Sequence, residues 1–259
     1  MVGGGKRSRS SSLMGNHQKC WLWGRHAVLE LLRADQWHPL EIGVARDLSE
    51  PELNEIRRWA DRRRCPVEMW SDEELERRCR APDHQGLIAR MPEFPYRDSQ
   101  EVIAAIPKNG WCVLLDGIQD PFNFGAILRS AEVLGAAAAF VGMTGQSPVN
   151  SQVVRSSAGA VLHLPLARAA TLGAVARSLQ AQGMRLYGAS EKGTLAPREC
   201  DLTGPVGLVI GNEGRGISAE MLGLCNLLLT IPQTGRVSSL NAAVAAGILC
   251  YEVARQRCG

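Results

Sequence analysis

After Pro107 the chain alternates short apolar runs with stretches of helical period, and this alternation constrains the fold more than any other feature. Residues 111–115 read as a strand. Ile127, Ala131 and Leu134 then fall on one helical face before a stop at Gly135, and a second apolar run ends at Val141. That is a βαβ unit. The pattern continues with a helix over 172–182 closed by Gly183, strands over 184–189, 206–210 and 227–231, and an Ala-rich helix over 240–257. Strands alternating with helices imply a largely parallel sheet covered on both faces, an α/β fold.

Upstream, Pro92, Pro95 and Pro107 interrupt polar sequence and disfavour a continuous helix, which places a linker at 92–107. Before it, helices are expected over 24–33, 51–64 and 72–80 and strands over 41–45, 66–70 and 86–90, which together make a small α/β domain over 20–91. A larger domain then covers 108–259. Residues 1–19 read as a disordered basic tail, because their first twelve positions are rich in Gly, Ser, Lys and Arg and lack the apolar core of a signal peptide.

Composition adds exclusions. The longest apolar stretches, such as 136–141, fall far short of the ~20 residues that span a bilayer, so no membrane partner is expected. The eight cysteines are scattered, with no C-x-x-C pair and no histidine at metal-ligand spacing. Neither a metal site nor a disulfide scaffold is indicated, and reduced thiols fit a cytoplasmic protein. A net charge of +3 permits a nucleic-acid partner without demanding one.

Three segments place polar residues at the carboxyl ends of expected strands, where open α/β sheets bind ligands. In 114–129, Asn123 and Arg129 flank the first helical turns. An arginine among apolar neighbours needs an anionic partner, and phosphate suits it; the alternatives are an Asn123 helix cap and a structural ion pair for Arg129. In 208–218, Gly211, Gly214 and Gly216 let backbone approach a ligand, while Glu213, set between Asn212 and Gly214, has no obvious turn role. The order G-x-x-G-x-G departs from the dinucleotide fingerprint, and no P-loop occurs. In 231–252, paired serines precede the last helix and offer to cap it, and its small residues permit close approach either within the chain or of a second subunit.

Together, N-x-G-x-x-x-R at Asn123 to Arg129, I-G-N-E-G-x-G at Ile210 to Gly216 and I-P-x-x-G-x-x-S-S-L-N at Ile231 to Asn241 resemble the three motifs of the SpoU (TrmH-like) RNA 2′-O-ribose methyltransferases of the SPOUT superfamily. Upstream, Gly24-Arg25-His26-Ala27-Val28 and His84-Gln85-Gly86 are similar to the ends of that family's small substrate-binding domain, related to ribosomal RNA-binding proteins. The layout looks most like the subgroup that modifies guanosine in large-subunit (23S) rRNA.

The resemblance implies a trefoil-knotted methyltransferase domain with a parallel sheet, acting as a homodimer on RNA with S-adenosyl-L-methionine as cofactor. It assigns cofactor contacts to Gly188, Ser190, Gly211, Asn212, Gly216, Ile231 and Leu240, and catalysis to Asn123, Arg129, Glu213, Ser239 and Asn241. The implied chemistry is in-line attack of a ribose 2′-hydroxyl on the sulfonium methyl group. Family mechanisms give hydroxyl activation to the arginine, here Arg129. Because a guanidinium effectively never deprotonates, the alternative is that Arg129 fixes a phosphate bidentately while phosphate or water accepts the proton. Glu213 is expected to position Arg129 or its loop, with Ser239 and Asn241 orienting ribose and helix end. In the small domain Arg25, Arg62, Arg63, Arg64 and His84 are the expected RNA contacts, against a nearly balanced local charge that equally describes a solvated face. A tRNA methyltransferase and a non-catalytic rRNA-binding protein are the competing readings.

Overall fold

A chain whose apolar runs are this short buries them best by pairing them edge to edge under helices, and the computed structural model does so in two separate sheets. The structure describes residues 20–236 and 239–258, and the expected basic tail lies outside them. The backbone divides into one unit ending at Pro95 and another starting at Tyr96.

In the first unit, β1 (Trp21–Trp23), β2 (Glu41–Ala45), β3 (Val67–Trp70) and β4 (Leu87–Arg90) form a sheet in the order β1-β4-β2-β3, parallel between β2 and β3 and antiparallel elsewhere. Helices α1 (Arg25–Ala34) and α3 (Asp72–Cys79) pack on it with Leu31 and Leu75 buried, and α2 (Glu50–Arg63), with Ile56 buried, packs on α1. The three helices fall within a residue or two of their expected spans. The short strand β1 has no counterpart in the sequence reading, because three residues carry no period.

The second unit runs α4 (Ser99–Ala105), β5 (Trp111–Asp116), α5 (Pro121–Val133), β6 (Ala138–Gly142), α6 (Ser151–Ser156), β7 (Leu166–Ala169), α7 (Leu172–Ala181), β8 (Arg185–Ala189), β9 (Val206–Gly211), α8 (Ala219–Leu224), β10 (Leu227–Leu229) and α9 (Ala242–Arg257). Its sheet is parallel throughout, in the order β10-β8-β9-β5-β6-β7. On one face Cys112 and Leu114 of β5 join Val175, Ala176 and Leu179 of α7 in a buried cluster, to which α4 and α8 add Ile103 and Met221. Helices α5, α6 and α9 form the other layer.

The stretch 92–107 needs a correction. Its prolines bracket helix α4, whose N-terminus Asp98 caps by accepting from the Gln100 and Glu101 N–H groups, and Arg97 extends the sheet beside β7. Prolines at either end of a segment delimit a short helix as readily as they exclude a long one.

Candidate active site

The site forms where β5 and β9, neighbours in the sheet, release their chains at the carboxyl edge. Asp120 and Pro121 start α5: the Asp120 carboxylate accepts from Phe122 N–H at 2.7 Å, and proline needs no donor at the first helical position. Asn123 therefore is not the cap; it sits inside the first turn with its side chain free for tertiary contacts. Gly125 lies two residues on, where a Cβ would stand 2.7 Å from Val153 O and 1.9 Å from Ser156 Oγ, so only glycine lets α5 lie this close to α6.

After β9 the chain folds back on itself. Asn212 and Gly216 exchange backbone hydrogen bonds of 3.0 and 2.8 Å, and Asn212 Oδ1 accepts from Gly214 and Arg215 N–H. A Cβ on Gly211 would meet Ile217 N at 2.2 Å and Gly216 C at 2.3 Å, which is the physical reason for glycine there. Asn212 Nδ2 donates to Gly117 O at 2.8 Å and ties this loop to the end of β5. Its amide is spent on scaffolding.

Glu213 gathers the site. Its Oε1 accepts from Asp120 N–H and Asn123 Nδ2, and its Oε2 accepts from Gln119 N–H and Asn212 Nδ2, all at 3.1 to 3.4 Å. Burial pushes its pKa up, but hydrogen bonds from its own backbone, Asn123, Gln119 and Asp120 outweigh that and hold the carboxyl below its usual value. Glu213 is thus an ionised clamp on the turn before α5, not a partner of Arg129. Asn123 Oδ1 in turn accepts from Asn241 Nδ2 at 2.9 Å, while Asn241 Oδ1 accepts from Ala243 and Val244 N–H. Asn241, not a serine, caps α9.

Two adjoining cavities flank this network. One, of about 390 Å3, lies among the loops after β8, β9 and β10 and is lined by Ser190, Gly211, Asn212, Gly216, Ile231 and Leu240, six of the seven expected cofactor residues. Its size falls within the ~300–1,000 Å3 of small-molecule sites. Gly188 is not in this lining: a Cβ there would meet Leu228, Cys225 and Ile217 side chains at 2.8 to 3.0 Å, so its role is packing. The lining also includes Glu191, Lys192, Thr230 and Gln233, which the motifs do not mark. The second cavity, a more open cleft of about 420 Å3, is lined by Gln119, Asp120, Asn123, Glu213, Ser239, Leu240, Asn241 and Ala242. Glu213, Ser239, Leu240 and Ala242 line both.

Four of the five expected catalytic residues are therefore brought together. Arg129 is not among them. It is exposed on α5, and among the described residues it has no hydrogen bond or ion pair. Its apolar neighbours in sequence, Ile127 and Leu128, point into the core while Arg129 points away. With Phe122 and Val133 it occupies an outer face of α5, and the packed helix α9 adds exposed Val244, Ile248 and Tyr251. Gly247, by contrast, faces Ser130 of α5 within the chain. Gln119 and Asp120 are the cleft residues that motif reasoning passes over, although both stand in the polar run between strand and helix that signals a site.

In the first unit Arg25 pairs with Glu52 at 3.5 Å and its N–H donates to Gln85 Oε1 at 3.1 Å, fixing the start of α1 to the turn before β4. His84 is buried and accepts from Gly86 N–H, so it shapes that turn and presents no contact surface. Arg63 is ion-paired with Asp35, whereas Arg62 and Arg64 are exposed and have no partner among the described residues. Among the described residues no group of three or more His, Cys, Asp or Glu could hold a metal ion, and no helix is long and apolar enough to cross a membrane.

Residues 110–251 match the SpoU rRNA Methylase family, and residues 21–97 match the domain described as RNA 2′-O ribose methyltransferase substrate binding. The chain is 33% identical to a Xanthomonas campestris protein named 23S rRNA (guanosine-2′-O-)-methyltransferase RlmB, over 93% of this chain and 98% of that one. It is 32% identical to a putative TrmH family tRNA/rRNA methyltransferase of Staphylococcus saprophyticus, over 90% and 94%. Among solved structures, the SpoU methyltransferase AviRb from Streptomyces viridochromogenes, in complex with AdoMet, superposes with a TM-score of 0.79 at 28% identity, covering 95% of each chain.

Proposed function

The chain belongs to the SpoU rRNA methylase family, and from that premise we propose that it methylates a ribose 2′-hydroxyl of RNA with S-adenosyl-L-methionine as methyl donor. The observation that carries this reading is the shared wall of the two cavities. A donor in the first cavity and a nucleotide in the more open cleft meet at Glu213, Ser239, Leu240 and Ala242.

The first cavity suits the cofactor. Leu222, Leu229, Ile231 and Leu249 offer apolar walls for an adenine, and Glu191 and Lys192 offer both signs of charge for an amino-acid tail. When bound, the cofactor supplies an electrophilic methyl group on a sulfonium. The protein's contribution is to hold the 2′-oxygen in line with it. The Glu213–Asn123–Asn241 network fixes the turn before α5 and the start of α9 as one rigid rim, so near-attack geometry is prepaid in folding. Glu213 is a positioning residue: its oxygens are already filled by four donors and its carboxyl stays ionised. Ser239 is free to bond the ribose. Arg129, exposed and without a partner among the described residues, takes an RNA phosphate bidentately, and that phosphate or a water accepts the proton released by the 2′-hydroxyl.

The substrate we favour is a guanosine of 23S rRNA, supported by the full-length likeness to the RlmB protein and by the substrate-binding domain upstream. Residues 20–91, with exposed Arg62 and Arg64, bind the RNA, and 108–259 carry the chemistry through the knotted loops of the family. A homodimer is supported by the uncovered apolar face of α5 and α9, where Phe122 and Tyr251 are 59% and 58% exposed. Arg129 then stands in that interface. Free thiols at all eight cysteines suit the cytoplasm.

The test is transfer of labelled methyl from S-adenosyl-L-methionine into purified rRNA and tRNA by the wild-type protein and Arg129→Lys. Label in rRNA that falls at least tenfold in the variant, which keeps the charge and loses the fork, supports the reading. Label in tRNA alone overturns the choice of substrate.

A further inference from the structure

The cleft's polar side chains are almost all committed to one another. The Asp120 carboxylate caps α5, Asn123 is held at both ends of its amide, Glu213 takes four donors, and Asn241 caps α9 while donating to Asn123. Beyond the second oxygen of Asp120, an acceptor only, what remains free among the described residues lining the cleft is the Ser239 hydroxyl and the Gln119 amide. The two differ in place. Ser239 lines both cavities, so it stands at the junction where methyl transfer occurs, whereas Gln119 lines only the open cleft, away from the cofactor.

Gln119 is also held for the purpose. Its backbone N–H donates to Glu213 Oε2 at 3.3 Å, and Ile118 before it is latched from the far side, where Gln146 Oε1 accepts from Ile118 N–H at 3.0 Å and Ile118 O accepts from Ser147 N–H at 2.8 Å. An exposed amide on so rigid a turn loses little entropy on binding. Electrostatics then selects its ligand. The cleft lining carries two carboxylates, Asp120 and Glu213, and no Lys or Arg, which disfavours a phosphate and admits a neutral group. A side-chain amide offers a donor and an acceptor side by side, the pattern presented by the edge of an unstacked base.

We infer that Gln119 reads the base of the nucleotide whose ribose is methylated. The inference rests on the functional reading above and adds to it the residue that sets base identity. The chain thereby divides the target nucleotide among three parts: Ser239 at the ribose, Gln119 at the base edge and Arg129 at a phosphate outside the cleft.

The experiment uses short RNAs spanning the site mapped with the wild-type protein, carrying each of the four bases at the methylated position. It compares kcat/KM for wild type, Gln119→Ala and Gln119→Glu, together with Kd for S-adenosyl-L-methionine. We expect wild type to favour one base by about tenfold or more, the size of a bidentate base contact. In Gln119→Ala the preference collapses to within about threefold while cofactor Kd stays unchanged, and in Gln119→Glu, which exchanges the donor for a second acceptor, the order of preferred bases changes. A wild-type protein indifferent to the base, or a Gln119→Ala variant that keeps the wild-type ratio, overturns the inference. A wild-type protein that binds the cofactor yet methylates no RNA overturns the functional reading itself, and the inference falls with it.

Discussion

Asn123 donates its Nδ2–H to Glu213 Oε1 across 3.1 Å, joining residues 90 positions apart in the chain. Because Asn123 also accepts from Asn241 at 2.9 Å, the first, second and third motifs are one hydrogen-bonded unit rather than three neighbouring ones. Its central member, Glu213, lines both cavities.

Glu213→Gln tests the clamp. All four partners of the carboxylate are donors, so an amide nitrogen must face two of them, and the turn before α5 is released. We expect a loss of about 1–2 kcal/mol in unfolding free energy. A misplaced rim should lower kcat about 100-fold. The pH dependence has a definite sign. The folded-state pKa of Glu213 is depressed, so its stabilisation is fully present above the unfolded carboxylate value and is lost as pH falls through the folded value. Denaturant titrations at a series of acidic pH values should show a shallower acid limb in the variant than in wild type.

Gly211→Ala places a Cβ against Gly216 and Ile217 backbone, which cannot move aside without opening the β9 loop. Overpacking of this kind costs about 1–3 kcal/mol. Calorimetric titration should show cofactor affinity falling at least tenfold, and a lowered Tm should accompany it.

Arg257 is expected to matter for stability alone. Its guanidinium donates to Leu202 O at 3.2 Å, to Asn109 O at 2.6 Å and to Gly204 O, anchoring the end of α9 to two loops. Burial lowers its pKa, which marks the cost of desolvating a charge bonded only to carbonyls. Arg257→Ala should remove about 2 kcal/mol and several degrees of Tm, with methyl transfer per folded molecule at 25 °C preserved.

Much of this architecture is legible before any coordinates. Strand β2 occupies its expected span of 41–45, and α5 and α7 end within two residues of the glycine stops at Gly135 and Gly183. Helices α6 and α8 and strand β7 are not legible, being too short to complete a period. The position of β9 between β8 and β5 is equally hidden, since strand order is set by tertiary pairing and not by local pattern. In the site, residue identity points to Asn123, Glu213 and Asn241 but not to their mutual bonds. The exposure of Arg129 is hidden for a physical reason: apolar neighbours at positions 127 and 128 say nothing about a residue one helical step further round.

The arginines at the end of α2 separate by the same geometry. Arg63 is engaged with Asp35, while Arg62 and Arg64 have no partner among the described residues. Reversing Arg62 and Arg64 to Glu should weaken RNA binding and flatten its salt dependence by roughly one unit of slope per lost phosphate contact. Arg63→Ala should cost at most about 1 kcal/mol of stability, as an exposed pair does, and leave RNA affinity nearly intact. Binding isotherms at several salt concentrations distinguish the two variants, and equal effects on affinity would refute the distinction.

The most direct test is to digest rRNA to nucleosides after reaction with labelled S-adenosyl-L-methionine and to locate the label by mass spectrometry, with Glu213→Gln as control. A ribose-methylated guanosine at one site, strongly reduced in the control, is the predicted result. Label on a base, or label unaffected by Glu213→Gln, would contradict the claim that this clamped rim delivers a ribose 2′-hydroxyl to the methyl donor.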